Sequence, residues 1–189
     1  MHTLTSATEA RTFITRVHAA GQALRNIPVP VLARIHGVCH GAGLEVATAC
    51  DLRLASAESV FGMPEVRAGV PSVVEAALLP GLIGMGRARR LLYLAETVGA
   101  EDAERWGLVE RAAVGGEAAL DDAVGKWCER IAGMGPRAVR AQKKLMLQWE
   151  NSSVDEGIEA GVEAFAAAFE DGGEEPRALM GRFVDRKRA

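Results

Sequence analysis

The stretch VPVLARIHGVCHGAGLEVATACDLRLASAESVFGMPE, residues 29–65, decides the fold of this chain. Its apolar segment 31–35 lies beside two prolines, which predicts a buried strand bounded by breakers. The glycines that follow, at positions 37, 41 and 43, predict a sharp turn of the backbone. Residues 44–50 then predict a short helix, and segments 52–55 and 60–62 predict two further extended stretches.

Two features of this stretch could support chemistry. A glycine turn that opens a helix leaves backbone N–H groups near Gly41, Ala42 and Gly43 facing outward, with the positive end of the helix dipole behind them. Such a place suits a phosphate or the oxyanion of a polarised carbonyl. Glu45 and Glu65, if they met there, could act as a proton-transfer pair, one ionised and one protonated. From spacing alone, a capping role for Glu45 and a solvated Glu65 are favoured.

The motifs themselves resemble a known family. HGVCHGAGLEVATACDLRLAS at 36–56, followed by VFGMPEVRAGVPS at 60–72, is similar to the signature of the crotonase family, the enoyl-CoA hydratases and isomerases. Weaker similarity continues through 81–92 and 103–112 to the C-terminus. The resemblance implies an α/β fold, a crotonase-like spiral of ββα units that is N-terminally short. It also implies a truncated core at 1–115 and helices at 116–189 that mediate oligomerisation.

The resemblance also assigns roles to residues of this chain. Gly41 would shape the turn of the substrate-binding site, and the Ala42 N–H would be the second oxyanion donor. Glu45 would orient and deprotonate the attacking water, and Glu65 would give a proton to the α-carbon. Having both glutamates favours an enoyl-CoA hydratase-like lyase, with isomerase or other acyl-CoA lyase chemistry left open. We expect a raised pKa for Glu65 in apolar surroundings and easier ionisation of Glu45 at the helix N-terminus.

The start of the chain departs from the family pattern. In this chain the first helix begins near Ser6. In the family, that helix comes after several strands and after a loop that supplies the first oxyanion donor. Residues 1–10 do not match that loop. We therefore expect the chain as given to bind enoyl-CoA weakly and to hydrate it poorly. A family member without catalytic activity, acting as a binding or assembly partner, stays open for the same reason.

The remaining segments predict mainly helices. Ser6 with Glu9, and Ser72 with Glu75, have capping-box spacing. The second box predicts a short helix that Pro80 ends; the alternative, that Ser72 and Glu75 enter the pocket where many family members have glycine, is less favoured. Further helices are predicted at 85–95, 100–106, 120–131, from Pro136, at 158–169 and from Pro176, with a brief strand at 108–110.

Composition narrows the class of protein. A net charge of −3 over 189 residues offers no general basic field for nucleic acid. No uninterrupted apolar run is long enough to cross a membrane, so we expect a cytoplasmic protein. Three cysteines without metal or redox spacing predict reduced thiols. The expected partners are an acyl-CoA thioester, of which coenzyme A is a part rather than a separate cofactor, and further copies of the chain in a homotrimer or homohexamer.

Three other patterns in the sequence suggest other sites or functions. His36 and His40 flank Cys39, but a glycine turn would not hold them together and no acidic ligand completes a metal site. The glycine spacing also resembles the dinucleotide turn of short-chain dehydrogenases. That class needs a Tyr-x-x-x-Lys pair, whereas Tyr93 is followed by Thr97. The basic segment 186–188 could meet the phosphates of coenzyme A, although a solvated tail explains it equally.

Overall fold

The computed structural model describes residues 3–186, with side chains described as far as residue 181. These residues form two compact units. One is made of the described residues up to 27 together with 31–125, and the other of 28–30 together with the described residues from 126 onward. The predicted division at residue 115 concerns assembly and stays a prediction.

Six strands in the first unit form two three-stranded sheets. The first sheet contains β1 (Leu32–Ile35), β3 (Leu52–Ser56) and β6 (Arg111–Ala113), all parallel and with β3 in the centre. The second contains β2 (Val38–His40), β4 (Val60–Gly62) and β5 (Thr97–Gly99), in which β2 and β4 are parallel and β5 is antiparallel to β4. The first four strands alternate between the two sheets, as the predicted spiral of ββα units requires.

The described residues contain eight α-helices. They are α1 (Ala7–Asn26), α2 (Ala42–Thr48), α3 (Leu79–Leu94), α4 (Ala100–Trp106), α5 (Gly116–Ala132), α6 (Pro136–Trp149), α7 (Val154–Ala167) and α8 (Glu174–Arg186). Short 3₁₀ helices cover Glu65–Ala68, Val74–Leu78 and Glu170–Gly172. None of the described helices combines the length and the apolar character that crossing a membrane requires.

Local signals placed several helix ends correctly. Ser6 caps α1 by accepting a hydrogen bond from the Glu9 amide at 3.2 Å. α4 covers the predicted residues and ends at Gly107, whose φ of 82° is the left-handed conformation that favours glycine. Pro136 begins α6 as predicted. These ends depend on neighbouring residues alone, which is why the sequence predicts them.

The strand predictions were less accurate. β2 lies inside the predicted glycine turn, and β5 was not predicted. The segment 108–110 is not a strand; β6 begins at Arg111, although Leu108 and Val109 are almost fully buried. Each of these strands has only three residues, so its hydrogen bonds to a neighbouring strand define it, whereas its own periodicity is too short to read.

The core of the first unit is formed by side chains from both sheets and from helices α2, α3 and α4. Its largest fully buried members are Leu44, Phe61, Met63, Leu79, Leu91 and Leu108. Each such side chain contributes roughly 1.5–3 kcal/mol by leaving water. Leu44 lies on α2 and Phe61 on β4. The segment 29–65 therefore contributes strands and a helix around this core as well as side chains that are buried in it.

A buried arginine in the first sheet connects its central strand with the residues that precede β6. The guanidinium of Arg53, on the central strand β3, donates to the carbonyl oxygens of Leu108 at 2.9 Å and Cys50 at 2.8 Å. It also pairs with the Glu110 carboxylate, which accepts from the Arg53 backbone amide as well. The residues just before β6 are thereby tied to β3.

We predict that Arg53→Met lowers the free energy of unfolding by roughly 3–5 kcal/mol, because it leaves Glu110 and two carbonyls without their cation. Urea denaturation measures the loss. Arg34→Met is the matched control: Arg34 pairs with exposed Glu117 and Asp121, and such surface pairs contribute about 1 kcal/mol or less. Equal losses in the two variants would contradict this account of Arg53.

Candidate active site

Glu45 is placed by the turn between β2 and α2. Gly41 has φ 55° and ψ −127°, which only glycine adopts readily. Its N–H donates to the Gly62 carbonyl at 3.0 Å, and its own carbonyl accepts from the Glu45 amide at 3.0 Å. Ala42 is the first helical residue, where a helix provides no acceptor for the amide from its own carbonyls. The turn thus uses the Gly41 N–H within the fold and leaves Ala42 as the first amide of α2.

Glu65 reaches the same place from the neighbouring strand. β2 and β4 are parallel, and His40 pairs with Gly62, so both strands end at one edge of the sheet. Glu65 follows β4 by three residues and begins a 3₁₀ helix. A Cβ at Gly41 would overlap the Glu65 carboxylate oxygen Oε1. The structure therefore brings this carboxylate against the turn that opens α2.

The segment from Ser72 to Glu75 contacts both carboxylates through hydrogen bonds. The Ser72 hydroxyl donates to Glu65 Oε2 at 2.7 Å, and the Val73 amide donates to Glu45 Oε1 at 3.4 Å. The predicted capping box at Ser72 and Glu75 is wrong, because Val73 is the N-cap of the 3₁₀ helix and no side chain caps it. Pro80 does not end this helix either; it lies in the first turn of α3.

Glu75 is buried rather than capping. Only 4% of it is exposed, and its Oε1 lies 2.7 Å from Nδ1 of His18 on α1. Its backbone carbonyl accepts from the Thr48 hydroxyl at 3.2 Å. Sequence reasoning missed His18 because 57 residues separate it from Glu75. The one local signal was that His18 and Gly21 are three residues apart and so lie on the same face of α1.

Burial governs the ionisation of Glu45. Loss of water raises the pKa of the Glu45 carboxyl to about 7, although the Val73 N–H acts in the opposite direction. The negative charges of Glu65 and Glu75 raise it further. The expectation of easy ionisation at a helix N-terminus was wrong, because α2 has only seven residues and the side chain is almost fully buried.

The remaining candidates from the sequence are His36, His40, Cys39 and the basic segment 186–188. His36 is exposed, while His40 is partly buried and its Nε2 has no hydrogen-bond partner. Burial raises the pKa of the Cys39 thiol to about 11. Among the described residues, no three His, Cys, Asp or Glu side chains are arranged to hold a metal ion. Lys187, Arg188 and the Arg186 side chain lie outside the described residues.

A cavity of about 620 Å³ occurs in the second unit, and it contains none of the predicted site residues. Side chains of α6, α7 and α8 line it, among them Lys144, Gln148 and Glu163. The cluster of carboxylates in the first unit is therefore the candidate active site.

Several known proteins are similar to this chain in sequence. The chain is 32% identical over 185 residues to a crotonyl-CoA hydratase from Syntrophomonas wolfei. The aligned region covers 97% of this chain and 70% of that protein. It is 33% identical over 155 residues to a peroxisomal Delta(3,5)-Delta(2,4)-dienoyl-CoA isomerase from Arabidopsis thaliana, covering 82% of this chain and 55% of that protein. The chain thus spans between about half and 70% of the length of these relatives.

Structure and family comparisons agree with these relatives. The crystal structure of an enoyl-CoA hydratase from Mycobacterium smegmatis matches with a TM-score of 0.89 at 26% identity, over 98% of this chain and 71% of that one. The family model for enoyl-CoA hydratase/isomerase matches residues 3–188. The chain therefore belongs to the enoyl-CoA hydratase/isomerase family.

Proposed function

We propose that this chain is an acyl-CoA-binding enzyme that adds water to the double bond of a 2-enoyl-CoA thioester. The observation that carries the proposal is the convergence of Glu45 and Glu65 beside the first amide of α2. Two carboxylates and a backbone donor are the groups that such an addition needs. The similarity to a crotonyl-CoA hydratase supports the same substrate class.

Each group has one task in the proposed reaction. Ionised Glu45 takes a proton from water as the oxygen attacks the β-carbon, and Glu65 gives a proton to the α-carbon. The Ala42 N–H stabilises the negative charge that develops on the thioester oxygen. A pKa of about 7 suits Glu45 to this task, because the carboxyl is then about half ionised at pH 7 and still basic enough to accept a proton. Coenzyme A enters and leaves as part of the substrate.

A second candidate reaction is isomerisation. The similarity to a dienoyl-CoA isomerase favours it, because the same two carboxylates could move a proton between carbons of a bound acyl chain. The products separate the two reactions: hydration incorporates ¹⁸O from labelled water into the acyl group, and isomerisation moves the double bond without incorporating oxygen. Incorporation of ¹⁸O with crotonyl-CoA or a longer 2-enoyl-CoA would support hydration.

We predict that Glu45→Gln and Glu65→Gln each lower kcat/KM for hydration of the enoyl-CoA substrate by about 10²–10⁴, because each removes a proton-transfer group. Circular dichroism should show an unchanged fold. Glu58→Gln removes an exposed carboxylate of the same first unit and should leave the rate unchanged. Either catalytic variant remaining within a few-fold of the parent on every enoyl-CoA tested would refute the assignment of that residue.

We predict that activity is lost as the pH falls through about 7. The pKa of Glu45 is raised, so the carboxyl binds a proton at higher pH than an ordinary glutamate and is inactive as a base below that value. The rate should fall roughly tenfold per pH unit below 7. A profile of kcat/KM against pH measures this, over a range in which the protein stays folded. A flat profile between pH 5.5 and 8 would contradict the role of Glu45 as base.

We also propose that the protein assembles as a trimer or a dimer of trimers. An apolar stripe runs along α7, in which large side chains stay mostly exposed: Val154, Ile158, Val162 and Phe165. The spacing of four, four and three residues puts them on one helix face. A continuous exposed apolar face of this kind is typical of a protein–protein contact.

We predict that light scattering at micromolar concentration gives a mass of three or six chains, and that Val162→Glu lowers it by placing a charge in the stripe. Glu159→Gln, an exposed position on the same helix, should leave the mass unchanged. A parent protein that is a stable monomer at these concentrations would contradict the proposed assembly.

A further inference from the structure

Glu75 is a third carboxylate beside the proposed catalytic pair, and the proposed reaction gives it no role. It lies on the 3₁₀ helix Val74–Leu78, three residues after the serine that contacts Glu65. A carboxylate this deeply buried is unfavourable unless a partner compensates it. Glu75 therefore needs an explanation that neither the helix cap nor the core provides.

Helix α1 carries a site that fits this carboxylate. His18 Nδ1 lies 2.7 Å from Glu75 Oε1. Gly21, one turn further along the same face, makes room for it: a Cβ there would lie 2.5 Å from the Glu75 carboxyl carbon and 2.7 Å from Oε1. His18 is 48% exposed, whereas Glu75 is buried. The pair thus links a solvent-accessible imidazole to a carboxylate in the interior.

The backbone next to Glu75 is strained. Val74 has a φ of 42°, in the left-handed region that a β-branched residue rarely adopts. Such a conformation costs about 1–3 kcal/mol and persists only where the surroundings hold it. Here Ser72 is bound to Glu65 on one side and Glu75 to His18 on the other. Between them, the Val73 amide faces the Glu45 carboxylate.

The charged groups around Glu45 come from several elements. Glu65 and Glu75 oppose its ionisation from the 3₁₀ helices Glu65–Ala68 and Val74–Leu78. α2 carries no other titratable residue, and the residues one turn from His18 on α1 are uncharged: Ile14, Thr15, Gly21 and Gln22. α3 also packs against Val74–Leu78, but its Arg87 and Arg90 lie over the Trp106 ring. His18 is thus the basic side chain observed against Glu75.

We propose that His18 and Glu75 form a positioning dyad that holds the Ser72–Glu75 segment over the catalytic pair and sets how readily Glu45 ionises. The proposal rests on the proposed role of Glu45 as the base. The anionic Glu75 carboxylate disfavours a second negative charge on Glu45, and a protonated His18 offsets that charge. Neither residue touches substrate in this scheme; both act through Glu45.

Three variants test the dyad. Glu75→Gln keeps the shape of the side chain and removes its charge, so Glu45 should titrate at a pH lower by about half a unit or more. His18→Asn keeps a donor near Nδ1 and removes the cation, so Glu45 should titrate at a higher pH. In the double variant, Glu45 should titrate as in Glu75→Gln alone, because His18 acts through Glu75.

The primary measurement is a ¹³C-NMR titration of the Glu45 carboxyl in the full chain without substrate, assigned by the signal lost in Glu45→Gln. It needs no turnover, so it tests the dyad even if the proposed hydration fails. The kcat/KM profile should shift by the same amount if Glu45 is the base. Glu58→Gln, which makes the same change in net charge at an exposed position, should shift neither.

The outcomes are distinguishable. An unchanged Glu45 titration in Glu75→Gln, or a His18→Asn effect that persists in the double variant, would overturn the dyad. A lower rate at every pH without any shift would also overturn it, because that result indicates a purely structural contact. A shifted titration with an unshifted rate profile would keep the dyad and refute Glu45 as the base.

Discussion

The parallel pairing of β2 with β4 is the constraint on which the candidate site depends. It aligns the ends of the two strands, so the turn after β2 and the segment after β4 meet at one edge of the sheet. Glu65 can then lie against Gly41, where no side chain would fit. A shift of register by one residue would turn each side chain to the opposite face and separate the two glutamates.

Burial of charge is the cost of this arrangement. Three carboxylates interact in one region, and the Ser72 hydroxyl and the Val73 amide donate hydrogen bonds to two of them. The donors come from a segment that is itself strained at Val74. Strain, desolvation and like-charge repulsion therefore occur in the same few residues, as expected where a fold serves chemistry rather than stability.

Sequence reasoning succeeded where a motif or a local signal was sufficient. The glycine turn with Glu45, and the later Glu65, identified the family, and Gly107 and Pro136 marked helix ends. It failed where a contact across the fold decides the outcome. Ser72 and Glu75 have the spacing of a cap, but the Ser72 hydroxyl binds Glu65 and the Glu75 carboxylate contacts His18, 57 residues away. The ionisation of Glu45 likewise depends on burial, which no single sequence displays.

We expect the position of β3 in the middle of its sheet to influence the order in which the strands of the first unit pair during folding. Its pairing with β1 joins Leu32 to Leu52, whereas its pairing with β6 joins Leu54 to Arg111. The second closure spans almost three times as much chain and costs more loop entropy, by about 0.6 kcal/mol for each doubling of length. During synthesis on the ribosome, β1 and β3 can pair early. The edge of β3 stays uncovered until β6 emerges, and in that interval it is open to pairing with a foreign strand.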